Sequence, residues 1–237
     1  MKYPTTWLQG ASLGERIACE LRLQIIRGMQ TPGTVLSENQ IATDFGTSRS
    51  PVREAMKVLS GEGLIRLERM GAFVIGMTPG DMEELFDVRM LIEHFVVQRY
   101  VHRDNSILVT TLNQMIDKME VALKHRDIAE FSLQDFNFHE SLVLEAGHTR
   151  ILHTWNGMRQ LILTVMLAAT EQRFASNIEE SQVTIRKHRT FANALNQANA
   201  LNQANAQELS RLIEEHYRDT RNAVNDSVLS SYRKTLS

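Results

Sequence analysis

Arg49 and Arg53 stand four residues apart, on the polar side of a short helical pattern whose apolar stripe is Val52, Ala55, Met56 and Leu59. Both guanidinium groups therefore project the same way from the N-terminal half of one helix. From that end of a helix, Arg can bridge O6 and N7 of a guanine in the DNA major groove. A second set of residues offers metal ligation. Asp135 and His139, at i and i+4, stack on one helix face, and His188 and His216 fall in later helical patterns. Imidazole and carboxylate at that spacing can chelate one divalent ion, and helical bundles assemble such sites from facing helices. Each set has an ordinary alternative: solvated surface arginines, and four polar residues drawn from a chain with 8 histidines.

The elements around the arginines argue against the ordinary reading. Ser37-Glu38-Asn39-Gln40 has the form of a capping box, which starts a helix carrying Ile41, Ala42 and Phe45 inward. Gly46 stops it, as the turn of a helix-turn-helix requires. The next helix begins at Ser48 or Ser50, with Pro51 in its first turn where a missing N–H is tolerated. Beyond Gly63 the apolar period becomes alternating, in Leu64-Ile65-Arg66-Leu67-Glu68 and Ala72-Phe73-Val74-Ile75, with Arg69-Met70-Gly71 between. That is a β-hairpin wing with a basic tip, and its glycine would let the backbone approach phosphates closely.

With 237 residues, 43% of them hydrophobic, the chain can bury two cores. A net charge of −2 is low for a nucleic-acid binder, but it is unevenly spread: +2 through Gly76 and −4 beyond it. Phosphate attraction is confined to one end. Cys19 is the only cysteine, so disulfide staples are excluded and a core thiol is expected. No N-terminal apolar run resembles a secretion signal, and the longest apolar stretch, residues 161–169, is too short to span a bilayer. A soluble cytoplasmic protein without membrane contact is expected.

Residues 1–11 read as an irregular arm, 13–28 as a helix and Thr31-Pro32-Gly33 as a turn. Thr78-Pro79-Gly80-Asp81 breaks the pattern again, and Asp81 with Glu84 could cap the following helix. Helical periodicity then recurs in 82–101, 107–123, 128–144, 151–169, 178–195 and 206–229, with no convincing strand. The expected fold is mainly α: a winged helix-turn-helix over 1–77, a hinge at 78–81, and an antiparallel six-helix effector bundle over 82–237. A perfect tandem hexamer, Asn193 to Ala198 repeated as Asn199 to Ala204, interrupts the connection between the last two helices. Absorbed inside a helix, six extra residues would rotate everything after them by about 240°. They are expected in the connection instead.

The segments Leu36-Ser37-Glu38-Asn39, Asp44-Phe45, Ser48 to Ala55 and Ile65 to Ala72 together resemble the GntR family of bacterial transcription regulators. The helical remainder, with Asp87-Val88-Arg89, Asp135, His139, His188 and His216, looks like the FCD effector domain of its FadR-type branch. The wording is closest to that of the family's gluconate operon repressors. The resemblance implies that Arg49 and Arg53 read bases within a DNA-facing set of Ser37, Asn39, Ser48, Ser50, Arg69 and, at the wing tip, Gly71. It also implies that Asp135, His139, His188 and His216 hold a divalent metal, zinc first with nickel or manganese as alternatives, and that Arg89 binds a carboxylate effector. Two features depart from it. Many relatives carry Arg where this chain has Asn39, and the hexamer lies between His188 and His216.

The implied function is a homodimeric repressor on double-stranded operator DNA, released by a sugar acid such as gluconate. A metal-sensing regulator is one alternative. A metal-dependent hydrolase with Glu140 as base is another, although Glu140 points about 100° away from His139 around the helix.

Overall fold

The computed structural model describes residues 2–69, 71–101, 103–197 and 207–216. They form two compact units that divide between Asp81 and Met82. In the first unit, α1 (Leu13–Ile26) packs on α3 (Arg49–Gly61), and α2 (Glu38–Asp44) lies against α3. Beside them, β1 (Val35–Leu36), β2 (Ile65–Glu68) and β3 (Gly71–Val74) form an antiparallel sheet in the order β1-β3-β2. Helices α1 and α3 pack together with Ile17 and Leu21 of α1 buried, and the stripe expected on α3, Val52, Ala55, Met56 and Leu59, is buried as well. Cys19 is buried too, and desolvation raises its thiol pKa, so it is an inert core group.

Several local expectations change in detail. A full capping box stands at the start of α1, where Ser12 Oγ accepts from the Glu15 N–H and Glu15 accepts from the Ser12 N–H. At Ser37 the box closes on one side only. Ser37 Oγ accepts from the Gln40 N–H at 3.5 Å, while the Gln40 amide donates to Asp44 Oδ1 at 2.7 Å. A charged acceptor one turn along draws the carboxamide away from the cap. Gly46 adopts φ 61 in the turn, and α3 begins at Arg49, which settles the choice of start on Ser48 as cap.

Strand β1 has only two residues, too few to show an alternating pattern. Its pairing, Val35 with Phe73 and Leu36 with Ala72, corrects the reading of Gly71. Gly71 does not face outward at the wing tip: it is buried, at φ 145, and a Cβ there would overlap the Leu36 carbonyl oxygen. The close backbone approach that needs a glycine is to β1, inside the protein. Pairing of Glu68 with Gly71 puts Arg69 beyond the last paired residue of β2, and Met70 lies outside the described residues. We expect Gly71→Ala to lower unfolding free energy by about 3 kcal/mol, from left-handed strain and overpacking together. Gly61→Ala, which meets nothing within 4 Å, is expected to be neutral or slightly stabilising. Urea melts of both variants check the contrast.

The second unit contains α4 (Pro79–Gln98) from Met82 onward, α5 (Ser106–His125), α6 (Ile128–Glu145), α7 (Thr149–Ser176) and α8 (Glu179–Gln197), followed by a helical stretch at 207–216. Helix α4 begins inside the segment expected as a hinge. Thr78 is its cap: Thr78 Oγ1 accepts from the Asp81 N–H at 3.1 Å, and Asp81 Oδ2 accepts from the Thr78 N–H at 2.7 Å. Asp81 therefore closes a box with Thr78 and does not open one with Glu84, because Pro79 can occupy the first helical position without losing a bond.

Helix α6 packs on α5 and α7, and α8 on both α5 and α7. Asp127 caps α6 and His148 caps α7. The core is dense in aromatic groups, with Phe131, Phe136 and Phe138 of α6 and Trp155 of α7 buried. No strand occurs among the described residues of this unit, and no described helix is long and apolar enough to cross a membrane. Residues 193–197 end α8, whereas the rest of the tandem hexamer and the chain after His216 lie outside the described residues.

Candidate nucleic-acid interface and metal centre

Arg49 and Arg53 stand on the solvent side of α3 with side chains 54% and 55% exposed. Ser37, Asn39, Ser48, Ser50 and Arg69 are exposed as well, and only Gly71 of the expected DNA-facing set is buried. The fold adds a residue that sequence reasoning took only for part of a cap. Glu38, in the first turn of α2, accepts from Arg49 Nε and Nη2 at 3.0 and 2.8 Å, and from Arg53 Nε at 2.9 to 3.1 Å. These bonds, Arg49's foremost, hold the Glu38 carboxyl below its usual pKa. One carboxylate thus aligns both guanidiniums side by side. No local spacing signals this contact, since it joins two helices across a turn. It adds little to stability because the groups are solvated.

In the second unit the four expected ligands come from three elements and converge. Asp135 and His139 lie on α6, His188 on α8 and His216 on the 207–216 stretch, all buried. His139 Nε2 is 3.3 Å from His188 Nε2 and 3.1 Å from His216 Nε2. The ligand nitrogens of all three histidines lie within 4.8 Å of one another. Asp135 Oδ1 is 3.2 Å from His188 Nε2 and 3.8 Å from His139 Nε2, yet this oxygen is buried without a hydrogen bond. His216 is in the cluster despite the hexamer that precedes it.

Tautomers follow from the outer partners. His188 Nδ1 is 2.8 Å from the Thr184 carbonyl oxygen, which can only accept, so Nδ1 carries the proton. His139 Nδ1 donates to Glu93 Oε2 at 2.6 Å. Burial pushes the pKa of His139 down, against the pull of Glu93, and that of His216 well down, with His188 and His139 adding to the effect. With Nδ1 the donor on both rings, the Nε2 atoms of His139 and His188 turn toward each other and toward Asp135 Oδ1. A cation among them would be shared by all three groups. Burial alone would raise the Asp135 carboxyl, but His188, His139 and Arg173 outweigh it and hold it well below the usual range. Three imidazoles and a carboxylate fit a borderline divalent ion, so the cluster could hold a metal.

Three neighbours complete the setting. Arg89 is buried and donates from Nε to Glu93 Oε1 at 2.9 Å. This i, i+4 salt bridge is a buried brace that also fixes His139. Phe138 sets its ring edge-on to His188 at 4.2 Å and restricts its rotation. Glu140, the base of the hydrolase alternative, is taken up by Arg159 at 2.7 and 2.9 Å and by Trp155 Nε1 at 3.2 Å. We expect Glu93→Gln, which keeps shape but loses the charged acceptor, to weaken zinc binding about 10- to 100-fold in competition with a chelating dye.

Residues 13–75 match the model of the family described as bacterial regulatory proteins, gntR family, and residues 84–219 match the FCD domain. Two relatives named gluconate operon transcriptional repressor, from Bacillus licheniformis and Bacillus subtilis (strain 168), are each 38% identical to this chain. Both matches cover 96% of this chain and 91% of the relative. The solved structure of E. coli McbR/YncC aligns with a TM-score of 0.67 at 17% identity, over 95% of this chain and 99% of that one. At that identity the likeness bears on the fold alone.

Proposed function

The chain belongs to the GntR family of bacterial regulatory proteins, with an FCD domain as its second part, and from that premise we propose a homodimeric, metal-dependent repressor that responds to a small sugar acid. It is a DNA-binding transcriptional regulator and not an enzyme. Two winged units would bind a pseudo-palindromic operator, twofold protein symmetry matching twofold DNA symmetry. Arg49 and Arg53 would read base edges, Ser37, Asn39, Ser48 and Ser50 would contact the backbone or adjacent bases, and Arg69 would reach phosphates from the wing.

The observation that carries the effector reading is the buried polar cluster itself. Asp135, His139, His188 and His216 would hold the ion, which supplies Lewis acidity for a carboxylate and an adjacent hydroxyl. Buried guanidinium groups beside it, Arg89 among them, would balance the ligand's charge. Gluconate is the first candidate because both 38%-identical relatives are named for the gluconate operon. Helix α4 carries Arg89 and Glu93 and starts at the Thr78 cap, directly after the wing in the chain. A shift of this helix on ligand binding is the proposed link to DNA. A coupling of about 1–3 kcal/mol suffices, a change of roughly 5- to 150-fold in operator affinity.

Fluorescence anisotropy on upstream intergenic DNA tests this, with a panel of sugar acids in the presence of zinc or of a chelator. Release by gluconate that the chelator abolishes is the expected result. A response to zinc alone, with none to any acid, would make the chain a metal sensor instead.

A further inference from the structure

Arg173 on α7 is 6% exposed, and its guanidinium is held mainly by hydroxyls. Nη1 donates to Thr184 Oγ1 at 3.1 Å and Nη2 to Thr170 Oγ1 at 3.3 Å, while Nε has no hydrogen-bond partner. Its ion pair is with Asp135 Oδ2 at 3.9 Å, beyond hydrogen-bond reach. Ser181, one turn before Thr184 on α8, is fully buried, and its hydroxyl also lacks a partner. Buried polar atoms without partners are few in folded proteins, because each forfeits its hydration without a replacement bond. Arg173 Nε and Ser181 Oγ belong to two helices, α7 and α8, that the Arg173–Thr184 bond joins, and Asp135 is ion-paired with the same guanidinium.

Charge makes the same point. Asp135 and, after it, Glu180 are the carboxylates whose charge bears on Arg173, and the other Asp135 oxygen already faces His188 and His139. As a ligand to a divalent ion it would give its charge to that ion. Arg173 would then be a buried cation with no hydrogen-bonded anion, which is strongly unfavourable. Arg89 is in a different position, since Glu93 lies at 2.9 Å and shares its charge.

We propose that Arg173, with the Ser181 hydroxyl, forms an anion-binding pole beside the histidine cluster, and that it takes the carboxylate or other oxyanion group of the effector. This rests on the effector reading above and gives the main charge-pairing role to Arg173 in place of Arg89. The ligand class it selects is a small oxyanion that also carries hydroxyl groups: the guanidinium meets the charge, and Ser181 meets a neighbouring oxygen.

The test uses the full chain with Arg173→Gln and Arg173→Met, and D-gluconate, D-glucarate and sulfate as probes. For Arg173→Gln, the acid concentration giving half release of operator DNA is expected to rise about 10- to 100-fold, the loss of one charge-assisted contact. Sulfate and gluconate should raise the melting temperature of the wild type and not that of Arg173→Met. Without any anion, Arg173→Met should melt at or above the wild type, because a buried charge lacking a close partner has been removed. A much lower melting temperature for Arg173→Met in anion-free buffer would mean a structural role and overturn the proposal. Loss of zinc in Arg173→Gln, or wild-type responses to all three probes, would overturn it as well.

The two readings fail separately. If no sugar acid acts on the wild type but sulfate protects it in an Arg173-dependent way, the effector assignment is wrong and the anion pole stands. If neither sulfate nor any acid protects the wild type, the pole is wrong.

Discussion

Replacing Arg49 and Arg53 together by alanine is expected to weaken operator binding by about 4 kcal/mol, roughly a thousandfold, since each bidentate guanine contact contributes about 1–3 kcal/mol. Both side chains are more than half exposed, and the ionic partner they share among the described residues is Glu38, so the fold should not suffer. Melting curves of the double variant should match the wild type within about 0.5 kcal/mol. Binding to unrelated DNA should fall less than binding to operator, because loss of two charges weakens phosphate attraction only through the salt-dependent part of affinity. Anisotropy titrations on operator and scrambled duplexes across a salt series measure both effects. Unchanged operator affinity in a folded double variant would remove these arginines from the reading surface.

His139→Ala is expected to abolish stoichiometric zinc binding, because His139 Nε2 lies within 3.3 Å of both other imidazoles and is the centre of the cluster. Chelator should lower the melting temperature of the zinc-loaded wild type and leave the variant unmoved. An ion present at about a thousand times its dissociation constant stabilises a fold by about 4 kcal/mol. The truncation will itself destabilise through the cavity it leaves, so sensitivity to chelator, and not stability, is the deciding measurement. Equal chelator shifts in both proteins would exclude the cluster as the metal centre.

The same histidines set a pH dependence for the metal-free protein. His139 and His216 have folded-state pKa values below the ordinary 6.5, so the unfolded chain binds more protons as pH drops through that value. Stability is then fully present above about pH 6.5 and declines as pH falls further, by up to about 1.4 kcal/mol per pH unit for each group. Bound metal should steepen the loss, since protons compete for the same nitrogens. Chelator-treated protein melted between pH 7.5 and 5.5 checks the sign. Greater stability at the lower pH would contradict the burial of neutral imidazoles.

The sequence by itself determined what depends on neighbours within a turn or two of the chain. Helices α5, α6 and α8 follow apolar periodicity closely while α7 runs seven residues past it, the pairs Arg49/Arg53 and Asp135/His139 follow from i, i+4 geometry, and the Gly46 turn follows from backbone freedom. The contacts decided by tertiary structure all join residues far apart in the chain. Glu38 reaches two arginines on another helix, Gly71 is a glycine because β1 lies against it, and Glu93 braces a histidine 46 residues away. The convergence of His188 and His216 on His139, and the setting of Arg173 among hydroxyls, belong to the same kind. Periodicity tells which face of a helix is buried, but not which helix it meets or at what height. A displacement of one residue along an axis moves a side chain by 1.5 Å and about 100°, enough to make or break a hydrogen bond. Only packing of the whole core fixes that register.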